Sequence, residues 1–166
     1  MSSQVKTFED VSYGVICESI MEQGRDLWGP SGYSRIIFTN GCFDILHPGH
    51  LKIIRECRSL AGPKGAVVIG VNSDSSVRRL KGDSRPIMDE SSRCNLLVNL
   101  RQVDCVVTFD EDTPIKLIDS LRPDMIVKGG DYRAVDVVGS HLASVVIIPV
   151  ETGYSTSMIV EKIRRG

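Results

Sequence analysis

Two histidines three residues apart, His47 and His50, bracket Pro48 and Gly49 in the stretch HPGH. On the first turn of a helix a spacing of three puts both imidazoles on one face, pointing the same way. Pro48 suits the opening of such a helix, because its fixed φ fits the first helical position and its missing N–H is not needed there. Gly49 carries no side chain, so a bulky anion can come close to the backbone. The helix N-terminus contributes unpaired N–H groups and about half a positive charge. Two imidazoles and free amides around one point make a cradle for an anion such as a triphosphate. A single helical histidine is usually structural; two in this spacing, after a glycine turn, argue for chemistry. A metal site built from Cys42, His47 and His50 is the alternative. No fourth ligand lies at metal spacing and the only other histidine is His141, so no resident metal is expected.

Other groups able to handle phosphate follow later in the chain. Lys81 and Arg85, in KGDSRP, are placed on a glycine-containing loop able to fold over the site. Fixed cations there would meet the charge that develops in a phosphoryl-type transition state; a solvated basic cluster with Arg78 and Arg79 is the plainer reading. Asn72 and Asp74 suit either hydroxyl groups of an acceptor or the cap of the next helix. In VKGGDY the glycines would let backbone groups approach a flat base, or simply make a tight turn. Ser155 and Thr156 open the last helix, where hydroxyls cap the N-terminus and can also face an anion. No Ser–His or Cys–His arrangement is recognisable, so no covalent intermediate is expected. No GxGxxG follows the first strand, which argues against a dinucleotide-dependent oxidoreductase.

These residues need a scaffold, and the chain spells one. Five β-branched runs recur: RIIF at 35–38, AVVIGV at 66–71, CVVT at 105–108, MIVK at 125–128 and VVIIPV at 145–150. They are continuous rather than alternating, as strands buried on both faces of a parallel sheet are. Helical patterns lie between most of them. Residues 48–60 carry Leu51, Ile54 and Leu60; residues 91–102 carry Leu96, Leu97 and Leu100; Thr113-Pro114 starts a helix through Ile118 and Leu121. Ile159, Val160 and Ile163 line the last helix. Strands alternating with helices imply an α/β fold: a single Rossmann-like, doubly wound, five-stranded parallel sheet with helices on both faces. In such a sheet ligands bind beyond the carboxyl ends of the strands, where the strand order reverses. Residues 1–30 read as an added amphipathic helix capped at Thr7, with Phe8, Val11, Val15 and Ile20 on its buried side; residues 31–166 form the one domain.

The chain's 166 residues suit a single domain, and 42% hydrophobic with 25% charged residues is an ordinary globular composition. A net charge of −1 gives no global basic field, so neither nucleic acid nor an anionic membrane is an expected partner. There is no apolar run of the roughly 20 residues a membrane helix requires, nor a secretory signal in MSSQVKTFED. The five cysteines are irregularly spaced and without a CxxC pair, which suits reduced thiols in the cytoplasm.

The HxGH and the later STS helix start resemble the nucleotidyltransferase superfamily of cytidylyltransferases and pantetheine-phosphate adenylyltransferases. TNGCFDILHPGH, VNSDSSVRRLKGDSRPI, FDEDTPIKLIDSLRPDMIVKGGDY and GYSTSMIVEKI resemble, almost continuously from 36 to 163, the adenylyltransferase domain of the ADP-heptose synthases. That domain is often fused to a sugar kinase; a stand-alone version is the expectation here. The resemblance implies catalytic roles for His47, His50 and Lys81. It implies nucleotide contacts from Asn40, Gly41, Cys42, Phe43, Arg93, Gly129, Gly130, Asp131, Tyr132, Ser155 and Thr156, and acceptor contacts from Asn72, Asp74, Lys81 and Arg85. It further implies in-line AMP transfer from ATP, carrying Mg²⁺, to D-glycero-D-manno-heptose 1-phosphate, in a homo-oligomer. A cytidylyltransferase acting on glycerol 3-phosphate or a phosphorylated amino-alcohol is the neighbouring possibility, and a non-catalytic nucleotide-binding module is a third. The family more often has STT where this chain has STS, and Glu or Gln at the position of Ser92; Ser157 keeps the hydroxyl and Arg93 is retained.

Overall fold

A computed structural model describes residues 35–130, 132–149 and 153–166. The N-terminal helix expected over residues 1–30 lies outside them, as does Asp131. Five strands form one all-parallel sheet: β1 (Arg35–Gly41), β2 (Gly65–Asn72), β3 (Cys105–Phe109), β4 (Met125–Gly129) and β5 (Ser144–Ile148). Their spatial order is β3-β2-β1-β4-β5. The five helices are α1 (Pro48–Ala61), α2 (Asp74–Lys81), α3 (Glu90–Val98), α4 (Ile115–Leu121) and α5 (Thr156–Arg164). A 3₁₀ turn at Ala134–Asp136 lies between β4 and β5.

The continuous apolar runs are strands because both faces of the sheet are covered. All eight residues of β2 are buried. Successive side chains alternate between faces. Ile36, Phe38, Val68 and Val107 pack with Leu117, Ile118 and Leu121 of α4. Ile37, Val67, Ile69 and Val71 pack with Ile54, Cys57 and Ala61 of α1 and with Cys94 and Leu97 of α3. Asp104 and Asp124 stand just before β3 and β4 and accept the amides of Val67 and Ile36, at 2.7 and 2.8 Å.

Several local expectations change. β1 runs on through Asn40 and Gly41, because its pairing with β2 continues to Gly41↔Val71. Residues 74–81, DSSVRRLK, are a helix that their polar sequence conceals; only Ser76 and Val77 are buried. Lys81 therefore closes α2 rather than riding on the loop. Ser73, not Asp74, caps α2 by accepting from the Ser76 amide. α3 ends at Val98, and Leu96 is 44% exposed because the buried face runs through Arg93, Cys94 and Leu97. Similarly, Leu51 faces outward while Ile54, Cys57 and Ala61 form the buried stripe of α1. No residue of α5 is buried, and Ile163 is 71% exposed. Cys42, Cys57 and Cys94 are free thiols.

The sheet grows outward from β1 to β2 and β3, then returns to β4 on the other side of β1. Strand order thus reverses between β1 and β4, and the crevice beyond their carboxyl ends is where a ligand belongs.

Candidate active site

β1 ends at Gly41 and the chain passes through residues 42–47 before α1 begins at Pro48. Within this loop Phe43 and Ile45 adopt left-handed backbone, with φ of 51° and 63°. Such a conformation is strained for a β-branched residue and persists only where the surroundings dictate it. Those surroundings are visible. The Phe43 side chain is buried in the α1-side core, and Asp44, 4% exposed, is gripped from several directions. Its carboxylate accepts from Arg85 Nη1 at 3.1 Å and from the amides of Ile87 and Met88 at 2.9 Å each. Burial acts to raise the Asp44 pKa, but the two amides and the Arg85 guanidinium outweigh it and hold the carboxyl below its ordinary value. The Asp44 carbonyl accepts a 2.5 Å hydrogen bond from Thr156 Oγ1, which fastens the start of α5 to the same loop.

His47 is the N-cap residue of α1, in extended conformation and without a side-chain capping bond. Its imidazole is released to face His50, and the two rings stack with centroids 3.8 Å apart and planes 23° from parallel. Phe43 also abuts His50, its ring centroid 5.1 Å away and tilted by 48°. Both Nδ1 atoms are buried without a hydrogen-bond partner among the described residues. Burial lowers the pKa of His47; burial and then the charge of His47 push His50 down to about 4. Near neutral pH the pair is therefore uncharged, with its hydrogen-bonding capacity unspent. A Cβ at Gly49 would lie 3.0 Å from His47 Cε1 and Nδ1, so the ring occupies the space that glycine leaves.

Several other expected residues belong to the strand ends and the loop that lead up to this pair, or are bonded to them. Asn40 lies at the end of β1 with its side-chain Oδ1 buried and unpartnered among the described residues. Lys81, exposed at the end of α2, is near enough to Cys42 to oppose the rise that burial imposes on that thiol. Asn72 is buried and binds Ser76 Oγ at 3.0 Å. Asp74 accepts from Arg93 Nη2 at 2.8 Å. Arg93 is fully buried and also donates to the carbonyls of Cys42, Asn72 and Met88. It therefore shapes the site by holding the ends of β1 and β2 and the segment before α3.

The β4 side is built from glycines. The Gly130 amide donates to the Ile148 carbonyl at 3.0 Å, and its φ of 137° suits glycine alone. A Cβ at Gly129 would lie 2.4 Å from Ile53 Cδ1, so a side chain there would have to displace the end of Ile53 on α1. Tyr132 is 60% exposed. Ser155 caps α5 by accepting from the Met158 amide at 3.2 Å. Arg85 is drawn into its ion pair with Asp44 instead of reaching outward.

Two residues of the site were absent from the sequence expectations. Asp44 looks like a surface acid in CFDILH, and only its three donors reveal it as the tie between loops. Lys128 ends the apolar run MIVK, where its charge at the carboxyl end of a buried strand was the available signal. Its Nζ donates to the Asn40 carbonyl at 3.3 Å, and burial pulls its pKa down to about 8.

A concavity of about 960 Å³ lies beyond β2 and β3, lined among others by Ser73, Asp74, Arg78, Glu90 and Asp110. It adjoins the histidine site through Asp74 and does not contain it. Among the described residues no group of three or more His, Cys, Asp or Glu could hold a metal ion, and no helix is long and apolar enough to cross a membrane.

Comparison with known proteins agrees with this geometry. Residues 38–162 match the family described as cytidylyltransferase-like. The chain is 54% identical over 132 residues to the bifunctional protein HldE of Helicobacter pylori strain J99, covering 79% of this chain and 28% of that protein. It is 45% identical over 161 residues to HldE of a Nitratiruptor species, covering 96% of this chain and 32% of that one. The chain thus spans about a third or less of the length of these relatives. A crystal structure of the lipopolysaccharide core biosynthesis protein from Thermoplasma volcanium GSS1 superposes with a TM-score of 0.57 at 28% identity, over 73% of this chain and 98% of that one. A neutral histidine pair at a helix start, set in the β1–β4 crevice of a parallel sheet and carried on a sequence of this kind, places the chain in the cytidylyltransferase-like family of nucleotidyltransferases.

Proposed function

We propose that this chain transfers AMP from Mg·ATP to D-glycero-D-manno-heptose 1-phosphate, releasing pyrophosphate and giving ADP-heptose. The observation that carries the transfer chemistry is the stacked pair His47–His50, with both Nδ1 atoms buried and unpartnered at the start of α1. The choice of acceptor and base is supported by the similarity to HldE proteins over 79–96% of the chain.

A phosphate oxygen of the acceptor attacks the α-phosphorus in line with the departing pyrophosphate, and no enzyme-bound intermediate forms. His47 and His50, neutral beforehand, each donate a ring N–H to the phosphate oxygens as charge builds there. Lys81 and the N-termini of α1 and α5 offset the leaving charge. Gly129 and Gly130 bring the backbone up to the base. Asp74 and the adjoining concavity hold the sugar. Mg²⁺ arrives with the triphosphate as part of the substrate and keeps much of its water shell. The enzyme works in the cytoplasm, as a homo-oligomer.

The family's description as cytidylyltransferase-like favours one competitor, a CTP-dependent enzyme acting on glycerol 3-phosphate or a similar phosphorylated alcohol. Pyrophosphate release measured with ATP and CTP against each acceptor separates the two. Turnover with ATP and the heptose phosphate is expected; activity confined to CTP would overturn the heptose reading.

A further inference from the structure

We propose that Lys128 is a phosphate-binding residue of this site, supplying a fixed ammonium to the triphosphate from the β4 wall while His47 and His50 hold it from α1. The inference rests on the nucleotidyl-transfer reading and extends it to a residue outside the expected set.

Lys128 is the fourth residue of β4, at the strand's carboxyl end, one strand across from Asn40 at the reversal point of the sheet. Its side chain is largely withdrawn from water, and an ammonium so placed is costly unless its three donors find acceptors. One donor meets the Asn40 carbonyl at 3.3 Å, beyond the usual range for such bonds. No carboxylate among the described residues forms an ion pair with it. Among the described residues the thiol of Cys42 is the one acidic group whose charge registers at Lys128, and burial favours that thiol's neutral form. Nor does the fold need a cation here, since the preceding residues Ile126 and Val127 already bury the strand in the two cores. A cation under-served by acceptors, bonded to the very residue whose side-chain Oδ1 is buried and unpartnered, is what a site looks like before its anion arrives. The depressed pKa of about 8 leaves the amine mostly protonated at neutral pH, so it meets phosphate as a charge.

A purely structural Lys128, tying β4 to the Asn40 carbonyl, makes a different prediction, and binding to the whole chain distinguishes the two. Dissociation constants for ATP, CTP, inorganic tripolyphosphate and adenosine are measured by calorimetry for the wild type, Lys128→Gln and Lys128→Arg. Gln keeps a donor for Asn40 without the charge. Tripolyphosphate and ATP are expected to bind Lys128→Gln at least about tenfold more weakly, the worth of one charged hydrogen bond. Adenosine should bind both proteins alike, and Lys128→Arg should recover most of the loss. Unchanged tripolyphosphate affinity in Lys128→Gln, or parallel weakening of adenosine and tripolyphosphate, overturns the assignment. No acceptor enters this measurement, so a selective loss supports Lys128 even if turnover is never seen. Conversely, active wild-type enzyme with unchanged tripolyphosphate binding in the variant overturns Lys128 and leaves the transfer reading intact.

Discussion

Arg85 Nη1 lies 3.1 Å from Asp44 Oδ2, both side chains are withdrawn from solvent, and this pair joins the loop after α2 to the loop before α1. The same aspartate takes the amides of Ile87 and Met88 on its side chain and the Thr156 hydroxyl on its carbonyl. One residue thus fixes three segments that each border the anion site. Asp44→Asn should leave Arg85 buried without its counter-charge, and breaking such a pair costs roughly 3–5 kcal/mol. Urea unfolding measures that loss, and kcat/KM should fall with it; a variant of wild-type stability and activity would show that the tie is dispensable.

The histidines should separate binding from chemistry. Replacing either His47 or His50 by alanine is expected to lower kcat by about 10²–10³, as loss of one preorganised donor does. Binding of ATP should weaken far less than turnover. Pyrophosphate-release kinetics beside calorimetric ATP binding tests this. Full turnover in either variant would remove that histidine from the mechanism.

Gly49 offers a substitution that local and tertiary demands judge oppositely. Alanine in a helix is favoured over glycine by about 1 kcal/mol. Yet its Cβ would press on the His47 ring from 3.0 Å and spoil the stack with His50. Gly49→Ala should therefore hold or raise the melting temperature while kcat drops on the order of tenfold, since small misplacements in a reacting geometry are costly. Thermal scans and initial rates on one preparation would decide the matter.

His50 should make stability depend on pH in a defined direction. Its folded pKa, about 4, lies below the ordinary 6.5, so between those values the unfolded chain holds more protons than the native one. Stability is then complete above pH 6.5 and declines as pH falls toward 4, by about 3 kcal/mol in all. His47, shifted the same way, adds to the decline. Asp44, whose carboxyl is held low, contributes stability that is lost at the acid end. Denaturant titrations at pH 7.5 and 5 should show the slope in wild type and a shallower one in His50→Gln. Identical slopes would rule His50 out as its source.

Arg93 tests whether a charge-bearing site residue acts directly or through the frame. Fully buried, it serves Asp74 and three carbonyls. Arg93→Met should destabilise the protein by roughly 3–5 kcal/mol through stranded buried acceptors, Asp74 among them. A variant with native stability but poor ATP binding would instead mark Arg93 as a direct ligand of the nucleotide.

The sheet and the histidine pair were legible in the sequence for one reason: each is written in a short contiguous stretch. A strand covered on both faces leaves an unbroken apolar run, and HPGH carries its own helix start. What could not be read locally was set by distant packing. DSSVRRLK forms a helix because Ser73 caps it and Val77 anchors it, with a polar surface that offers no period. Leu96 and Leu97 are indistinguishable as letters, and only the position of β2 and β3 decides that Leu97 goes inside. Asp44, Arg85 and Arg93 read as exposed charges until residues dozens of positions away supply their partners.

The reversal of strand order between β1 and β4 bears on how the protein comes to work at all. Asn40 and Lys128 touch across 88 residues of chain, with β2 and β3 formed from the intervening sequence. A nascent chain that has made β1, α1 and β2 owns both histidines and still has only half a pocket. The other half is delivered when β4 slots in beside β1, a long-range closure that is entropically slow to reach. Nucleotide then favours only the fully paired sheet, and its binding energy is added to the whole domain instead of to one part. Substrate is in that sense a proofreader of assembly, able to recognise a finished molecule and indifferent to a partial one.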